Sequence, residues 1–490
     1  MHIATQNTSL PRQAANGATH TPARAEASPL AGSVDAHGPR PYIRIAYLGG
    51  GSREWAGKLM ADLALTSRIT GRLVLHDIDT EAARRNVQLA GEIFSHPDAR
   101  TTFDVVVEDD IARALKGADF VVISIEPGPT EMRFADLEIP ARYGVLQTVG
   151  DTTGPGGILR ALRTVPIYKR FAHAIMEHCP QAWVINYTNP MALCVAALHA
   201  YAPGIRAFGC CHEVFGTQTM LAGHVHKWFH VQVPNRTHIE LEIAGVNHFT
   251  WATRATWRGH DLLACLRETI AGDPSFFTGG SAFAAEGKAA QRWFDSKHLI
   301  ACDLLRRFGA LGAAGDRHLA EFVPWYLTSE DELHRWGVVA TPYSWRLERS
   351  RKAPTRLGAF TAGLSPSGEE GVEMIEALLG LRTMRTNVNL LNTGQMPEVR
   401  AGAVVETYAY FAAGRVTPLV AQPLPAPVLG LVQGAVAEQS MVLQAALQGD
   451  MDLAFQAMLV HPLVRIPTDR AWQMFHEMRE VVGHMLPRGV

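Results

Sequence analysis

The chain is poor in several features that mark whole classes of protein. Cysteine is scarce: there are six in 490 residues, two of them adjacent at Cys210 and Cys211. That is no disulfide scaffold, and it points to a reducing cytoplasm in which a special cysteine acts as a thiolate. Neither sign of charge is in excess, with 45 Lys and Arg against 47 Asp and Glu and a formal net charge of -2. A nucleic-acid partner demands a basic surplus or stripe, so none is expected. No uninterrupted apolar run suggests a bilayer span, so no membrane partner is expected either. Residues 1–40 have almost no large apolar side chains and are rich in Ala, Pro, Thr, Gly and Ser. They lack the apolar stretch of a secretory signal. They bury too little to offset their ordering entropy, so a disordered tail is expected there.

What remains is an ordinary globular composition, 47% hydrophobic and 19% charged, at a length that suggests two to three domains. From Tyr42 the pattern becomes periodic. Ile43, Ile45 and Tyr47 alternate into Gly49-Gly50-Gly51, and Trp55, Leu59 and Leu63 follow at helical spacing. Leu73-Val74-Leu75, Val105-Val106-Val107, Phe120 to Ile123, Trp183 to Ile185 and Ile205 to Gly209 read as short buried strands between helices. Strands alternating with helices predict a doubly wound parallel sheet, an α/β fold, over residues 41–229. After about residue 238 the pattern changes to antiparallel signals, with a hairpin turn at Arg258-Gly259. A second, α+β domain is therefore expected over residues 230–490.

The turn at Gly49 to Ser52 closes a strand and opens a helix. Glycines let a pyrophosphate approach the backbone, and the helix start offers N–H donors. Gly49 and Gly51 fill the first two places of G-x-G-x-x-G, but Glu54 stands in the sixth. Asp77, at the end of the next strand, is placed to accept from an adenosine ribose hydroxyl, which favours NAD over NADP. The other reading is a glycine-rich loop without a ligand.

Further on, Cys211 sits at a strand's carboxyl end, where open α/β sheets bind ligands. His248 comes at a strand junction, and Asn186 and Asn189 flank another strand end. A thiolate and an imidazole can bind a metal, but their separation matches no zinc-finger spacing, and each residue alone is as readily structural.

Taken in order, Gly49-Gly50-Gly51-Ser52, Asp77, Asn186-Tyr187-Thr188-Asn189-Pro190, Cys211-His212-Glu213-Val214, Gly245-Val246-Asn247-His248, Gly315-Asp316-Arg317-His318, Asn389 and Glu406 resemble glycoside hydrolase family 4. The resemblance covers about residues 42–485. It implies a lactate/malate-dehydrogenase-like Rossmann fold and a glycosidase that needs NAD and a divalent metal, by usage Mn2+. Within the family, Cys-His-Glu-Val resembles the α-galacturonidase subgroup.

The resemblance also implies roles. Cys211 and His248 would ligate the metal, and Asn189, with Asn186, would orient sugar oxygens. Gly49, Gly50, Gly51, Ser52 and Asp77 would hold NAD. Asp316 would be the base at sugar carbon 2, and either Asp151 or His212 the acid at carbon 1. Arg317 would face the carbon 6 carboxylate of a uronic acid, or else lie at the surface. The implied reaction is oxidation at carbon 3, loss of the carbon 2 proton, elimination of the aglycone, water addition and re-reduction, without net oxidation. The implied partner is a uronic acid glycoside, and the implied assembly a homodimer or homotetramer. Two other sugars, α-galactosides and α-glucuronides, stay open, as do a 2-hydroxy-acid dehydrogenase and a non-catalytic NAD-binding regulator.

Overall fold

The computed structural model describes residues 34–35, 38–351 and 363–486. Of the expected disordered tail, residues 1–33 and 36–37 lie outside these, while Val34–Asp35 and Gly38–Pro39 form a short antiparallel ladder.

Six parallel strands make the centre: β1 (Tyr42–Leu48), β2 (Thr70–His76), β3 (Phe103–Val107), β4 (Phe120–Ile123), β5 (Trp183–Asn186) and β6 (Arg206–Gly209). Their spatial order is β3-β2-β1-β4-β5-β6, the doubly wound order whose switch point, between β1 and β4, is a ligand crevice. Helices α1 (Trp55–Leu65), α2 (Thr80–Phe94), α3 (Gly154–His178), α4 (Met191–Tyr201) and α5 (Glu213–Phe229) connect and cover them. Side chains alternate along β1: Ala46 and Leu48 join one buried cluster, and Ile43, Ile45 and Tyr47 the other. A two-residue period with both faces covered is why these strands read as near-continuous apolar runs.

Downstream, β7 (Glu240–Val246) and β8 (Phe249–Trp257) form an antiparallel pair. Arg258 and Gly259, both at positive φ (49° and 84°), make the expected tight turn to His260. Next come α6 (Leu299–Phe308) and α7 (Tyr343–Arg351), then β9 (Met384–Leu391), β10 (Val404–Ala412) and β11 (Arg415–Pro418). These last strands do not build a sheet of their own. β9 pairs with β6 at Asn389 and Gly209, so the central sheet grows to nine strands. One core also runs from Leu48 through Trp251 and Leu304 to Phe475. The two halves thus share a sheet and a core across residue 230, because an edge strand as apolar as β6 needs cover that only β9 supplies.

Three helices close the chain: α8 (Ala426–Gln448), α9 (Met451–Val460) and α10 (Thr468–Val482). By length and composition α8 is apolar enough to cross a membrane, but Gln433, Glu438, Gln439 and Ser440 interrupt it, so it is no uninterrupted apolar run. In the fold it packs on α3 and α9 through Val428, Val432, Val436 and Val442.

Candidate active site

The turn after β1 is built to admit glycine alone. Gly49 has φ 97°, and a Cβ on it would lie 2.0 Å from the Ser124 carbonyl oxygen. A Cβ on Gly50 would meet Leu75 at 2.6 Å, and one on Gly51 would meet Ala82 at 2.8 Å. Asp77 clips the turn: its Oδ2 accepts from the Gly51 N–H at 2.8 Å and its Oδ1 from the Asp79 N–H at 2.9 Å. Asn86 Nδ2 donates to the carbonyls of Gly50 (2.7 Å) and Ser52 (2.9 Å) from below. A bare backbone at the β1–β4 switch point, with a helix start behind it, fits a dinucleotide pyrophosphate.

The second half of the site lies at the loop before α3. One donor atom each from Asp151, His248 and His318 lies within 4.8 Å of the others. A carboxylate and two imidazoles form a donor set that suits a divalent cation. Thr152 sets the orientation. Its hydroxyl donates to Asp151 Oδ1 (2.6 Å) and lies 2.9 Å from His248 Nδ1. Having spent its proton on Asp151, that hydroxyl accepts from Nδ1–H, which leaves the His248 Nε2 lone pair for the cation. Burial, then the His318 ring 3.9 Å away, pull His248 down to about 3, so the imidazole is neutral. Burial works to raise Asp151, but His318, His248, Arg133 and Arg160 overcome it and hold it well below the usual carboxylate range.

Asn189 belongs to this group. Its Nδ2 donates to Asp151 Oδ2 at 3.2 Å, while its buried Oδ1 has no partner among the described residues. That acceptor suits a sugar hydroxyl. Glu213, at the start of α5, stands 3.8 Å from His318 Nε2 and accepts from the Gly315 N–H at 2.5 Å. Burial acts to raise it, yet the histidines bring it down to about 2.

Other residues singled out in the sequence have different tasks. Cys211 is buried and is not one of the three donors. Its carbonyl accepts from Asn387 Nδ2 at 3.0 Å. Burial, then Glu406 and Glu213, push its thiol far up. Asn186 is spent inside the fold: Nδ2 donates to the Thr188 carbonyl at 3.0 Å, and Oδ1 accepts from Tyr168 and from the Thr188 N–H. His212 turns towards Glu369 (3.3 Å) and the Trp55 ring. Asp316 faces the start of α6, where Oδ1 accepts from the Ala301 N–H at 3.0 Å. Arg317 is buried, with Nη2 donating to the Thr148 carbonyl (3.1 Å) and to Thr341 (2.7 Å), so it is no surface residue.

Sequence reasoning missed His318 as a donor to the cation group, and the reason is geometric. Asp316 and His318 share one helical turn, and residues two apart on a helix point about 200° apart. Only one can face the site, and the structure turns His318 to it. It also missed Glu321, whose Oε1 takes the N–H groups of Thr148 (2.6 Å), Val149 (2.6 Å) and Gly150 (3.0 Å) and so pins the loop that carries Asp151. No local pattern signals that contact, because 171 residues separate Gly150 from its acceptor.

A glycine cradle on a doubly wound sheet, together with a carboxylate–imidazole cation group, defines an enzyme built on a dehydrogenase-type frame. Comparison with known sequences resolves the class further. Residues 44–227 match the model for family 4 glycosyl hydrolases and residues 243–464 the model for that family's C-terminal domain. This chain is a family 4 glycosyl hydrolase. It is 42% identical over 444 residues to an α-galacturonidase of Thermoanaerobacter italicus, covering 89% of this chain and 95% of that one. A Bacillus subtilis crystal structure, provisionally assigned as a glucosidase, superposes with a TM-score of 0.79 at 41% identity and covers 89% and 99% of the two chains. The Thermotoga maritima 6-phospho-β-glucosidase, solved with manganese, NAD+ and glucose-6-phosphate, shares the fold at a TM-score of 0.70 and 19% identity, over 91% and 100% of the chains.

Proposed function

We propose that this protein is an α-galacturonidase that hydrolyses α-linked galacturonides with NAD and a divalent metal, Mn2+ by analogy with its relatives. The carrying observation is the Asp151–His248–His318 group in a chain that also has the glycine turn and is 42% identical to an α-galacturonidase. When bound, NAD supplies reversible hydride transfer at sugar carbon 3, and the cation supplies Lewis-acid charge neutralisation. Gly49, Gly50, Gly51 and Ser52 would hold the pyrophosphate, and Asp77 would keep the turn in shape. Asp151 and His248 would hold the metal, with Cys211 at its edge.

Asn189 orients a sugar hydroxyl through its open Oδ1. Asp151 is ionised, which suits a ligand and rules against its serving as the proton donor at carbon 1. That duty falls to His212 on this reading, the more exposed of the two candidates. Asp316 is engaged with the start of α6, so we assign removal of the carbon 2 proton to His318. Glu213 stands 3.8 Å from its Nε2 and orients the ring. The six free thiols accord with a reducing cytoplasm. Exposed Val460, Trp472 and Val481 on the terminal helices accord with a homodimer or homotetramer.

The test is a panel of digalacturonate and aryl α-glycosides of galacturonate, galactose and glucuronate, assayed with Mn2+, NAD+ and a reductant. Galacturonides are expected to be cleaved fastest, and chelator to abolish turnover. A fully loaded enzyme that leaves galacturonides uncut refutes the reading.

A further inference from the structure

Three guanidinium groups converge on the loop that carries Asp151. Arg133 donates through Nη2 to the Val149 carbonyl at 2.6 Å, and Arg317 through Nη2 to the Thr148 carbonyl at 3.1 Å. Arg317 also donates to Thr341 at 2.7 Å, and Arg346 follows five residues later on α7. That helix packs on residues 130–138, with the Tyr343 ring 5.6 Å from Phe134. Arg346 thus stands on a helix packed against the segment around Arg133, within electrostatic reach of Arg133, Arg317, Asp151 and Glu126.

The acids nearby are already committed. Asp136 is held by both arms of Arg163 at 2.8 and 2.6 Å. Glu126 pairs with Arg160. Glu321 is filled by backbone N–H groups, and Asp151 faces the histidines. The cations are not balanced in return. Arg133 Nη1 shares Asp136 at 3.6 Å without a hydrogen bond, and Arg317 Nε and Arg346 Nε are buried without a hydrogen-bond partner among the described residues. No described group bonds or ion-pairs with the Arg346 guanidinium. Burial, then Arg133 and Arg317, depress Arg346 to about 9, a strain that a bound anion relieves.

We propose that Arg346, with Arg317 beside it, receives the carboxylate of an anionic sugar, the carbon 6 carboxylate of the uronide on whose assignment above this inference rests. A planar guanidinium fork matches a planar carboxylate. The Arg317 guanidinium carbon lies 5.1 Å from the centroid of the Phe294 ring. α7 is also latched to the nucleotide turn, since Arg53 donates to the Arg349 carbonyl at 2.8 Å and Arg349 pairs with Glu54. One helix thus carries the sugar's counter-charge and touches the glycine turn.

Calorimetric titration of the Mn2+- and NAD-loaded protein with galacturonate, galactose and galactose 6-phosphate tests this. The wild type is expected to favour galacturonate over galactose by about 10- to 100-fold, the worth of one or two charge-assisted hydrogen bonds. Arg346→Gln is expected to bring the two sugars near parity with galactose binding unchanged. Arg346→Lys, the check if the Gln variant melts early, is expected to lose about tenfold, because an ammonium makes no fork. A wild type without carboxylate preference, one that prefers the phosphate, or variants that keep the full preference overturn the proposal. A wild type that binds galacturonate through Arg346 yet cleaves no galacturonide sinks the functional reading and leaves the carboxylate site standing.

Discussion

Among single residues, the sharpest contrast is between His318 and Asp316. Each has one buried atom without a hydrogen-bond partner among the described residues, Nδ1 of His318 and Oδ2 of Asp316, but His318 stands in the cation group while Asp316 Oδ1 accepts from the start of α6. His318→Gln is therefore expected to lower turnover about 100-fold or more, as loss of a positioned base does, with an unchanged melting temperature. Asp316→Ala is expected to keep turnover and lose about 1–2 kcal/mol of stability, the cost of removing a helix-start acceptor. Steady-state rates and thermal melts on the two variants decide the matter, and the opposite pattern would return the proton to Asp316. Thr152 invites a companion test. Its hydroxyl fixes both Asp151 and the His248 tautomer, so Thr152→Val is expected to weaken metal affinity about 10- to 100-fold, as outer-shell losses do. Equilibrium dialysis with Mn2+ reads that directly, and an unchanged affinity would separate Thr152 from the metal site.

The elements show how far a sequence carries and where it stops. The six parallel strands and the turn at Gly49 were legible, because a two-residue alternation and a glycine punctuation are local signals. His248 was findable within an ordered motif set, though it did not stand out by spacing. The sheet's growth through β9 was not legible, because pairing Asn389 with Gly209 joins residues 180 apart. The loop over residues 147–153 was hidden for the same reason, since Glu321, Arg133 and Arg317 hold it from distant parts of the chain. Glu321→Ala strands three buried N–H groups at once. It is expected to cost about 3 kcal/mol, given about 1–3 kcal/mol for each buried group left unpaired. Activity should fall further than the melting temperature explains, because Asp151 rides on that loop. Denaturant melts paired with kcat measure both, and a variant of normal stability and activity would show the loop needs no such clamp.

For the molecule as a whole, the buried pair behind α3 sets a pH dependence. Glu438 faces Thr153 and is pushed up to about 8 by burial, and His461, 3.1 Å from the same hydroxyl, is pulled down to about 3 by burial. A carboxyl whose folded value is raised keeps a proton that the unfolded chain gives up. Stability is therefore full below about 4.5 and lost as pH rises towards about 8, at up to about 1.4 kcal/mol per pH unit. His461 works from the other side: its neutral form is favoured by folding, so stability falls as pH drops below about 6.5 towards about 3. Denaturant melts are expected to be near level from pH 5 to 6.5, where the two groups offset each other, and to decline from pH 6.5 to 8, with Glu438→Gln removing that decline. A wild-type profile that rises over that range would show Glu438 ionised in the fold.

In the proposed function the glycine turn and the cation group serve one sugar, NAD by hydride transfer at carbon 3 and the cation by charge neutralisation, and that pairing turns a dehydrogenase-type frame to hydrolysis. Cleavage of digalacturonate in D2O, with the galacturonate product examined by NMR, tests this most directly. Deuterium at carbon 2 of the released sugar, without accumulation of NADH, is the predicted result. A product with hydrogen retained at carbon 2, or NADH rising in step with cleavage, would contradict it.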